Sequence, residues 1–405
     1  MLASRPSASP SADLQLIFTE STLFIDLLHN SGSPVTHTAG ASGPGSSGGT
    51  PHVMRKLRSL TLVAVALVAS IAVSALAVAG PAAAQSKKAA PVTLRLGYFP
   101  NVTHASALVG VGAGIFTKTL GTGTDLQLKT FNSGTEALQA FQAGALDASY
   151  IGPSPTITAW TQLNKGVKII SGAASGGAFL VVNKSINSAA DLKGKAVASP
   201  QLGNTQDVAL RVWLKKQGLS TDTTGGGDVA IRPQDNATTL NAFKAGEIAG
   251  AWVPEPWATR LVTEGGGKIL VNEADLWPGG RYVTTQLVVT TSFLKAHPDT
   301  VKKLVQAQVA ANKYIQTNPF DAQTYVSQGI QQITGKPISG DLVIASFKNI
   351  TFTDDPIPTS LVKNNKDAKS VGLPSADSLK GIYDLTYLNQ ALKADGQAAI
   401  KLPKL

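Results

Sequence analysis

The sequence contains no cysteine, which excludes disulfides, thiolate metal sites, cysteine nucleophiles and a lipid anchor on a cysteine. Beyond residue 84 the only histidines are His104 and His297, and no G-x-S-x-G turn occurs there. A histidine-rich metal site is therefore excluded. A Ser/His/Asp triad could use only one of these two histidines and would lack the usual nucleophile turn. We expect no catalytic residue, no metal and no cofactor, so a secreted hydrolase is the disfavoured alternative.

Basic clusters are also missing, although the formal net charge is +10. Lysine and arginine are scattered along the chain, with no basic run and no interleaved aromatic stripe, so we expect no nucleic-acid partner. A positive background field can instead help to attract small anions.

Methionine is scarce, and the second of the two, Met54, opens a typical export signal. A basic segment is followed by an apolar run over residues 60–78 and by Ala82-Ala83-Ala84 before Gln85. We predict a cleaved signal peptide over residues 54–84; an uncleaved anchor is the alternative, because the run is nearly long enough to span a bilayer. Residues 1–53, rich in Ser, Gly and Pro, are predicted to be a disordered extension that is not translated. The mature chain is expected to be periplasmic or extracytoplasmic, without a cysteine anchor.

Two similar stretches, residues 135–155 and 238–256, lie about a hundred residues apart. Each pattern predicts a helix, a glycine stop, a strand and a proline-framed loop. Such repeated units are typical of α/β lobes with largely parallel sheets, in which loops at the carboxyl ends of strands carry ligands. Pro153-Ser154-Pro155 and Pro254-Glu255-Pro256 are therefore candidate ligand loops. The alternative is that both are rigid turns, with Ser154 capping a helix that starts at Pro155.

Hydrophobic periodicity predicts the remaining elements. Further strands are predicted at 92–98, 126–131, 167–171, 179–183, 195–199, 229–232, 268–271 and 282–290, with a loop at 172–177. Further helices are predicted at 206–217, 301–316, 319–331 and 379–393, with an extended stretch at 349–356.

Four stretches of the sequence resemble a known family: residues 94–105, SGTEAL…AGALDASYIGPSP from residue 133, ADLKGKAVASPQLGNTQDVALRVWL from residue 190, and AGEIAGAWVPEPWATRL…EGGG from residue 245. They are similar to the substrate-binding proteins of ABC importers for aliphatic sulfonates, taurine and nitrate. The resemblance implies a type II periplasmic-binding fold, α/β, with lobe I at 92–180 plus 285–405 and lobe II at 181–284. Crossover strands at 179–183 and 283–290 would join the lobes.

The resemblance also implies a function. A small anionic ligand, in first place an aliphatic sulfonate, would be trapped between the lobes and delivered to an ABC permease in the membrane. Nitrate, taurine or a planar aromatic of the thiamine-precursor type are the alternatives. A monomer is expected.

Helix N-termini can hold such an anion, because their free N–H groups and partial positive charge face it. We expect the ligand contacts to come from Asn101, Thr103, His104, Ser133, Gly134, Ser154, Gly203, Asn204, Thr205 and Glu255. Ordinary helix capping is the alternative for the small polar residues. His104 either donates to a ligand oxygen or is bonded to backbone.

Glu255 is unusual beside an anion site, because a carboxylate there is unfavourable unless it meets a cation. It either pairs with an amine of the ligand or forms an ion pair with Arg260 or Lys244.

Overall fold

The computed structural model describes residues 90–405, so the predictions for residues 1–84 lie outside its described part. Within this range the strands are β1 (Val92–Tyr98), β2 (Thr124–Thr130), β3 (Ala148–Ile151), β4 (Val167–Gly176), β5 (Ala178–Val182), β6 (Ala196–Ser199), β7 (Ala230–Pro233), β8 (Gly250–Pro254), β9 (Lys268–Asn272), β10 (Val283–Thr290) and β11 (Ile350–Phe352).

The helices of the described residues, in chain order, are α1 (Ala105–Gly112), α2 (Ile115–Leu120), α3 (Gly134–Gln142), α4 (Pro153–Gln162), α5 (Thr205–Lys216), α6 (Asn236–Lys244), α7 (Trp257–Thr263), α8 (Thr291–Ala296), α9 (Pro298–Thr317), α10 (Pro319–Thr334), α11 (Gly340–Phe347), α12 (Pro358–Ser370) and α13 (Thr386–Ala394). None of them is long and apolar enough to cross a membrane.

The strands form two sheets, each with helices packed on it. The first sheet has the order β11-β4-β10-β3-β1-β2, and β1 pairs in parallel with β2 and β3 while β10 runs antiparallel to β3 and β4. The second has the order β7-β6-β8-β5-β9, with β6 parallel to β7 and β8. The molecule therefore has the two α/β lobes of the predicted fold class.

Strand periodicity explains why the second sheet is covered on both faces. In β5, Leu180 and Val182 belong to one buried cluster, whereas Phe179 and Val181 belong to the cluster on the opposite face. Because successive side chains of a strand point to opposite faces, a continuous apolar run requires packing on both sides. Helices α5, α6 and α7 provide it.

The chain passes between the sheets twice. Gly177 alone separates β4 in the first sheet from β5 in the second, and residues 273–282 return the chain from β9 to β10. The predicted strands are present as β5 and β10, but each lies wholly in one sheet, directly after a crossing. The predicted lobe limits, 180/181 and 284/285, fall inside these two strands and stay a prediction.

Both copies of the predicted repeat fold as helix, strand and helix. The first gives α3, β3 and α4, and the second gives α6, β8 and α7. Gly144 and Gly246 follow the first helix of each copy with φ of +64° and +74°. This left-handed conformation explains the glycine stops in the sequence.

Several predictions for the chain were wrong. Residues 172–177 form no loop, because β4 continues to Gly176 and pairs with β10 and β11. The loop predicted at Pro153-Ser154-Pro155 is the first turn of α4, and the last helix begins at Thr386 rather than 379. Helices α2, α7, α8, α11 and α12 were not predicted. Helix α12 packs against α4 in the first lobe and α5 in the second.

Candidate functional site

A small polar cavity lies between the two lobes, and we call it the polar chamber. Its volume is about 40 Å³. Its lining consists of Phe99, Asn101, Thr103, His104, Asn132, Ser133, Gly134, Gly152, Pro155, Pro200, Asn204, Thr205, Gln206, Asn236, Pro254, Thr284 and Thr285. No aspartate, glutamate, lysine or arginine is among these described residues, so the polar chamber offers hydrogen bonds without a formal charge.

Helix α3 presents its N-terminus to the polar chamber from the first lobe. Ser133 caps the helix, its Oγ accepting from the N–H of Glu136 at 3.4 Å, while Glu136 Oε2 accepts from the N–H of Asn132 at 2.9 Å. Among residues 90–405 the N–H groups of Gly134 and Thr135 find no acceptor. They are available to an anion at the positive end of the helix.

Helix α5 faces it from the second lobe. Asn204 is its N-cap residue, yet the side chain makes no capping hydrogen bond. Neither the N–H of Thr205 nor that of Gln206 is bonded to a described residue. The N-cap residue of α4, Gly152, and the first residue of α6, Asn236, also line the cavity, so four helix N-termini converge on it. Because Pro153 and Pro155 have no N–H, α4 offers only the N–H of Ser154.

The environment of Asn236 supports the interpretation of the polar chamber as a ligand site. Its side chain is 6% exposed, and Oδ1 has no hydrogen-bond partner among the described residues. A buried amide without a partner is costly, and a half-turn of the amide exchanges its oxygen for its NH2 donors. A bound oxyanion would satisfy it.

His104 is a neutral donor in this wall. Burial lowers its pKa to about 3, and Nδ1 accepts from the N–H of Phe99 at 3.3 Å. The ring also stacks on Phe99, with centroids 4.3 Å apart. Because Nδ1 is an acceptor, the proton sits on Nε2, which has no protein acceptor within residues 90–405. The backbone bond and the donor role are therefore compatible in one tautomer.

The lobes touch directly around the polar chamber. Trp257 Nε1 donates to Asn101 Oδ1 at 2.9 Å, and Gln201 Nε2 donates to Glu136 Oε1 at 3.0 Å. Gly152 lies so close to the second lobe that an added Cβ would stand 2.5 Å from Thr205 Oγ1. These contacts define a closed arrangement of the cleft.

The structure places seven of the ten predicted site residues in the lining: Asn101, Thr103, His104, Ser133, Gly134, Asn204 and Thr205. Ser154, Gly203 and Glu255 lie outside it.

Ser154 and Gly203 have structural roles. Helix α4 begins at Pro153 with Gly152 as N-cap, so Ser154 is inside the first turn and caps nothing; its Oγ donates to Asn364 Oδ1 at 2.9 Å. Gly203 has φ of +78°, and its N–H donates to Asp207 Oδ2 at 3.0 Å. It shapes the loop that leads into α5.

Glu255 pairs with neither predicted cation. Its oxygens accept from Thr259 N and Oγ1 at 3.1 and 2.9 Å, from Ser346 Oγ at 3.3 Å and from Asn349 Nδ2 at 2.7 Å. Arg260 instead binds Glu264. Burial raises the pKa of Glu255, although these four hydrogen bonds oppose the shift. The ion-pair prediction was therefore wrong, and an amine of a ligand would find this carboxylate already occupied.

Sequence reasoning missed several lining residues, notably Gln206, Thr284 and Thr285. Gln206 directly follows Thr205 at the start of α5. The expectation that residues at helix N-termini contact the anion, which identified Thr205, applies to Gln206 as well. Thr284 and Thr285 come from β10, and its pattern reads only as a buried strand.

Two lobes, a double crossing and a closed polar chamber define the class: a protein with the periplasmic-binding fold. The chain belongs to the NMT1-like family, whose model matches residues 87–330.

Several relatives with curated descriptions are named as binding proteins. The taurine-binding periplasmic protein of Escherichia coli is 27% identical over 198 residues, covering 49% of this chain and 59% of that protein. A Brucella abortus protein named only as a binding protein is 28% identical over 200 residues, with the same coverage. The chain thus spans little more than half the length of these relatives.

Solved structures show the same fold. The alkanesulfonate-binding protein SsuA from Xanthomonas axonopodis pv. citri, bound to MOPS, has a TM-score of 0.61 at 18% identity, covering 74% of this chain and all of that one. The nitrate-binding protein NrtA from Synechocystis PCC 6803 has a TM-score of 0.60 at 15% identity, covering 75% and 89%. The chain is thus similar in sequence to a taurine-binding protein and in fold to alkanesulfonate- and nitrate-binding proteins.

Proposed function

We propose that this protein captures a small organic oxyanion, in first place an aliphatic sulfonate, and delivers it to an ABC permease. One observation carries the proposal: the polar chamber combines four helix N-termini with no charged side chain. Aligned backbone N–H groups bind a fixed anion without a counter-charge, whereas a cation would find no carboxylate there.

A sulfonate suits these donors because it is ionised at any ordinary pH and only accepts hydrogen bonds. Free N–H groups from α3 and α5, the Nε2–H of His104 and the Thr205 hydroxyl surround the space where its oxygens would lie. Nitrate would use the same donors. The relatives whose names specify taurine, alkanesulfonate or nitrate agree with this ligand class.

Export and partner follow from the same proposal. A chain that passes its ligand to a permease must work outside the cytoplasm, which fits the predicted signal peptide at 54–84. We expect a monomer and a role in supplying organic sulfur. A planar aromatic ligand is the second candidate, because Phe99 and His104 form a stacked pair at the chamber wall.

The test is calorimetric titration of the compact unit, residues 85–405, refolded to remove carried-over ligand. Methanesulfonate, butanesulfonate, taurine, nitrate and sulfate are titrated in turn. We expect micromolar or tighter binding of sulfonates and much weaker binding of nitrate and sulfate.

Thr205→Val should lower the affinity for every anion that binds by about tenfold or more, since it removes a hydrogen-bond donor from the polar chamber. Thr324→Val is the matched control, because its hydroxyl donates to Phe320 O on α10, away from the lining. No binding of any anion, with an aromatic compound found by mass spectrometry in the protein before refolding, would refute the oxyanion proposal.

A further inference from the structure

A second, larger cavity adjoins the polar chamber, and we call it the apolar chamber. Its volume is about 450 Å³. Asn101, Asn132 and Asn236 line both cavities, so the two adjoin at these three side chains. A molecule too large for the polar chamber would reach the apolar chamber past them.

The walls of the apolar chamber combine hydrocarbon side chains from both lobes with asparagines and with the charged residues Asp235, Arg260 and Lys336. Leu240 and Trp257 come from α6 and α7, and Ile330, Ile333 and Ile338 come from the end of α10 and the segment after it. Trp257 is held at the junction by its hydrogen bond to Asn101 and by Arg260, whose guanidinium lies 4.8 Å from the ring centroid. Apolar surface arranged in this way stabilises a hydrocarbon group that leaves water.

The charged residues that line the apolar chamber do not favour a ligand with an amine. Arg260 is bound through two nitrogens to Glu264, and Lys336 has no acidic partner among the described residues. Asp235 caps α6, its oxygens accepting from Thr238 N and Oγ1 at 2.9 and 2.6 Å. An ammonium group would thus meet two cations and one carboxylate that is already bonded.

The volumes divide the ligand into two parts. About 40 Å³ accommodates an anionic head group of a few heavy atoms but not an organic body, whereas 450 Å³ lies in the range of sites for whole small molecules. Resting on the function proposed above, we propose that the apolar chamber binds the hydrocarbon body of the ligand. The ligand class is then an oxyanion with a sizeable chain or ring and no ammonium group.

The experiment compares methanesulfonate, hexanesulfonate, benzenesulfonate and taurine by calorimetry on the wild-type unit 85–405 and two variants. Ile333→Asn places an amide in the wall of the apolar chamber. Ile344→Asn is the matched control, because Ile344 is a partly exposed helical isoleucine of α11 outside this lining.

We expect hexanesulfonate or benzenesulfonate to bind at least tenfold tighter than methanesulfonate and taurine. Ile333→Asn should remove most of that advantage and leave methanesulfonate unchanged, while Ile344→Asn changes neither. Equal affinity for small and large sulfonates, a preference for taurine, or an unaffected Ile333→Asn variant would overturn the inference while leaving the oxyanion function intact. If no sulfonate binds, it is the proposed function that fails.

Discussion

His104 combines two roles because its two ring nitrogens face different groups. The Phe99 N–H fixes Nδ1 as an acceptor, and the buried ring stays neutral, with a pKa of about 3. An imidazolium would lose this hydrogen bond, since both of its nitrogens are donors. The polar chamber thus keeps one Nε2–H donor without adding a titratable charge in the physiological range.

Stability should consequently fall in acid. The unfolded histidine has a pKa near 6.5, so between pH 6.5 and about 3 the unfolded state binds the extra proton and the free energy of unfolding decreases as pH falls. Over two pH units below 6.5 the loss is on the order of 2 kcal/mol. Urea denaturation at pH 6.5 and 4.5 should show this loss in the wild type and a smaller one in His104→Gln. Parallel behaviour of the two proteins would contradict the assignment.

At the scale of the elements, Gly152 determines how closely the two lobes approach. Its φ of −74° is accessible to any residue. The restriction therefore comes from the lack of space for a side chain at this position. An added Cβ would stand 2.5 Å from Thr205 Oγ1 on α5, in the other lobe. A methyl group there obstructs closure while leaving each lobe intact.

Gly152→Ala should therefore lower the affinity for a sulfonate by tenfold or more with little change in thermal stability. The double variant Gly152→Ala/Thr205→Ala lacks the obstructing hydroxyl oxygen. Its cleft should therefore close to the same extent as that of the single variant Thr205→Ala. Small-angle scattering with saturating ligand measures the closure. Gly123→Ala is the control, because no atom lies within 4 Å of the added methyl group and its φ is not positive. If the cleft of Gly152→Ala closes as the wild-type cleft does, Gly152 does not determine how closely the lobes approach.

The elements show why sequence predicted some features and missed others. The caps and glycine stops of α3 and α6 are local signals, so the repeat and the helix N-termini at the polar chamber could be predicted from residues 133–155 and 236–256. The partners of Glu255 could not, because Ser346 and Asn349 are about ninety residues away in the chain and the intervening fold brings them together. The extent of β4 depends in the same way on pairing with β10 and β11.

At the scale of the whole molecule, several direct hydrogen bonds join the lobes across the closed cleft. Trp257 to Asn101 is one of them, and it stands where the polar and apolar chambers meet. A single hydrogen bond of this kind contributes about 1 kcal/mol, which corresponds to about fivefold in a closure equilibrium. Such a bond adjusts affinity without locking the ligand in.

Trp257→Phe keeps an aromatic ring and removes this bond. We expect about fivefold weaker binding of methanesulfonate, which is too small to use the apolar chamber, with the change in the dissociation rate measured by stopped-flow fluorescence. Trp160→Phe is the matched control, because its indole donates to Ser378 O at 3.1 Å away from both chambers. Equal dissociation rates in all three proteins would show that the bond does not hold the lobes together.

The two crossings differ in length, and we expect this difference to place the axis of lobe rotation near the shorter one. Gly177 is a one-residue passage, with φ of +74°, and its carbonyl accepts from the N–H of Glu255 at 2.8 Å. Residues 273–282 are ten residues long and contain two short 3-10 turns. We therefore expect the lobes to rotate about Gly177 while the longer segment follows. Parts of the cleft far from Gly177 would then move furthest, and a bound solute would leave from there.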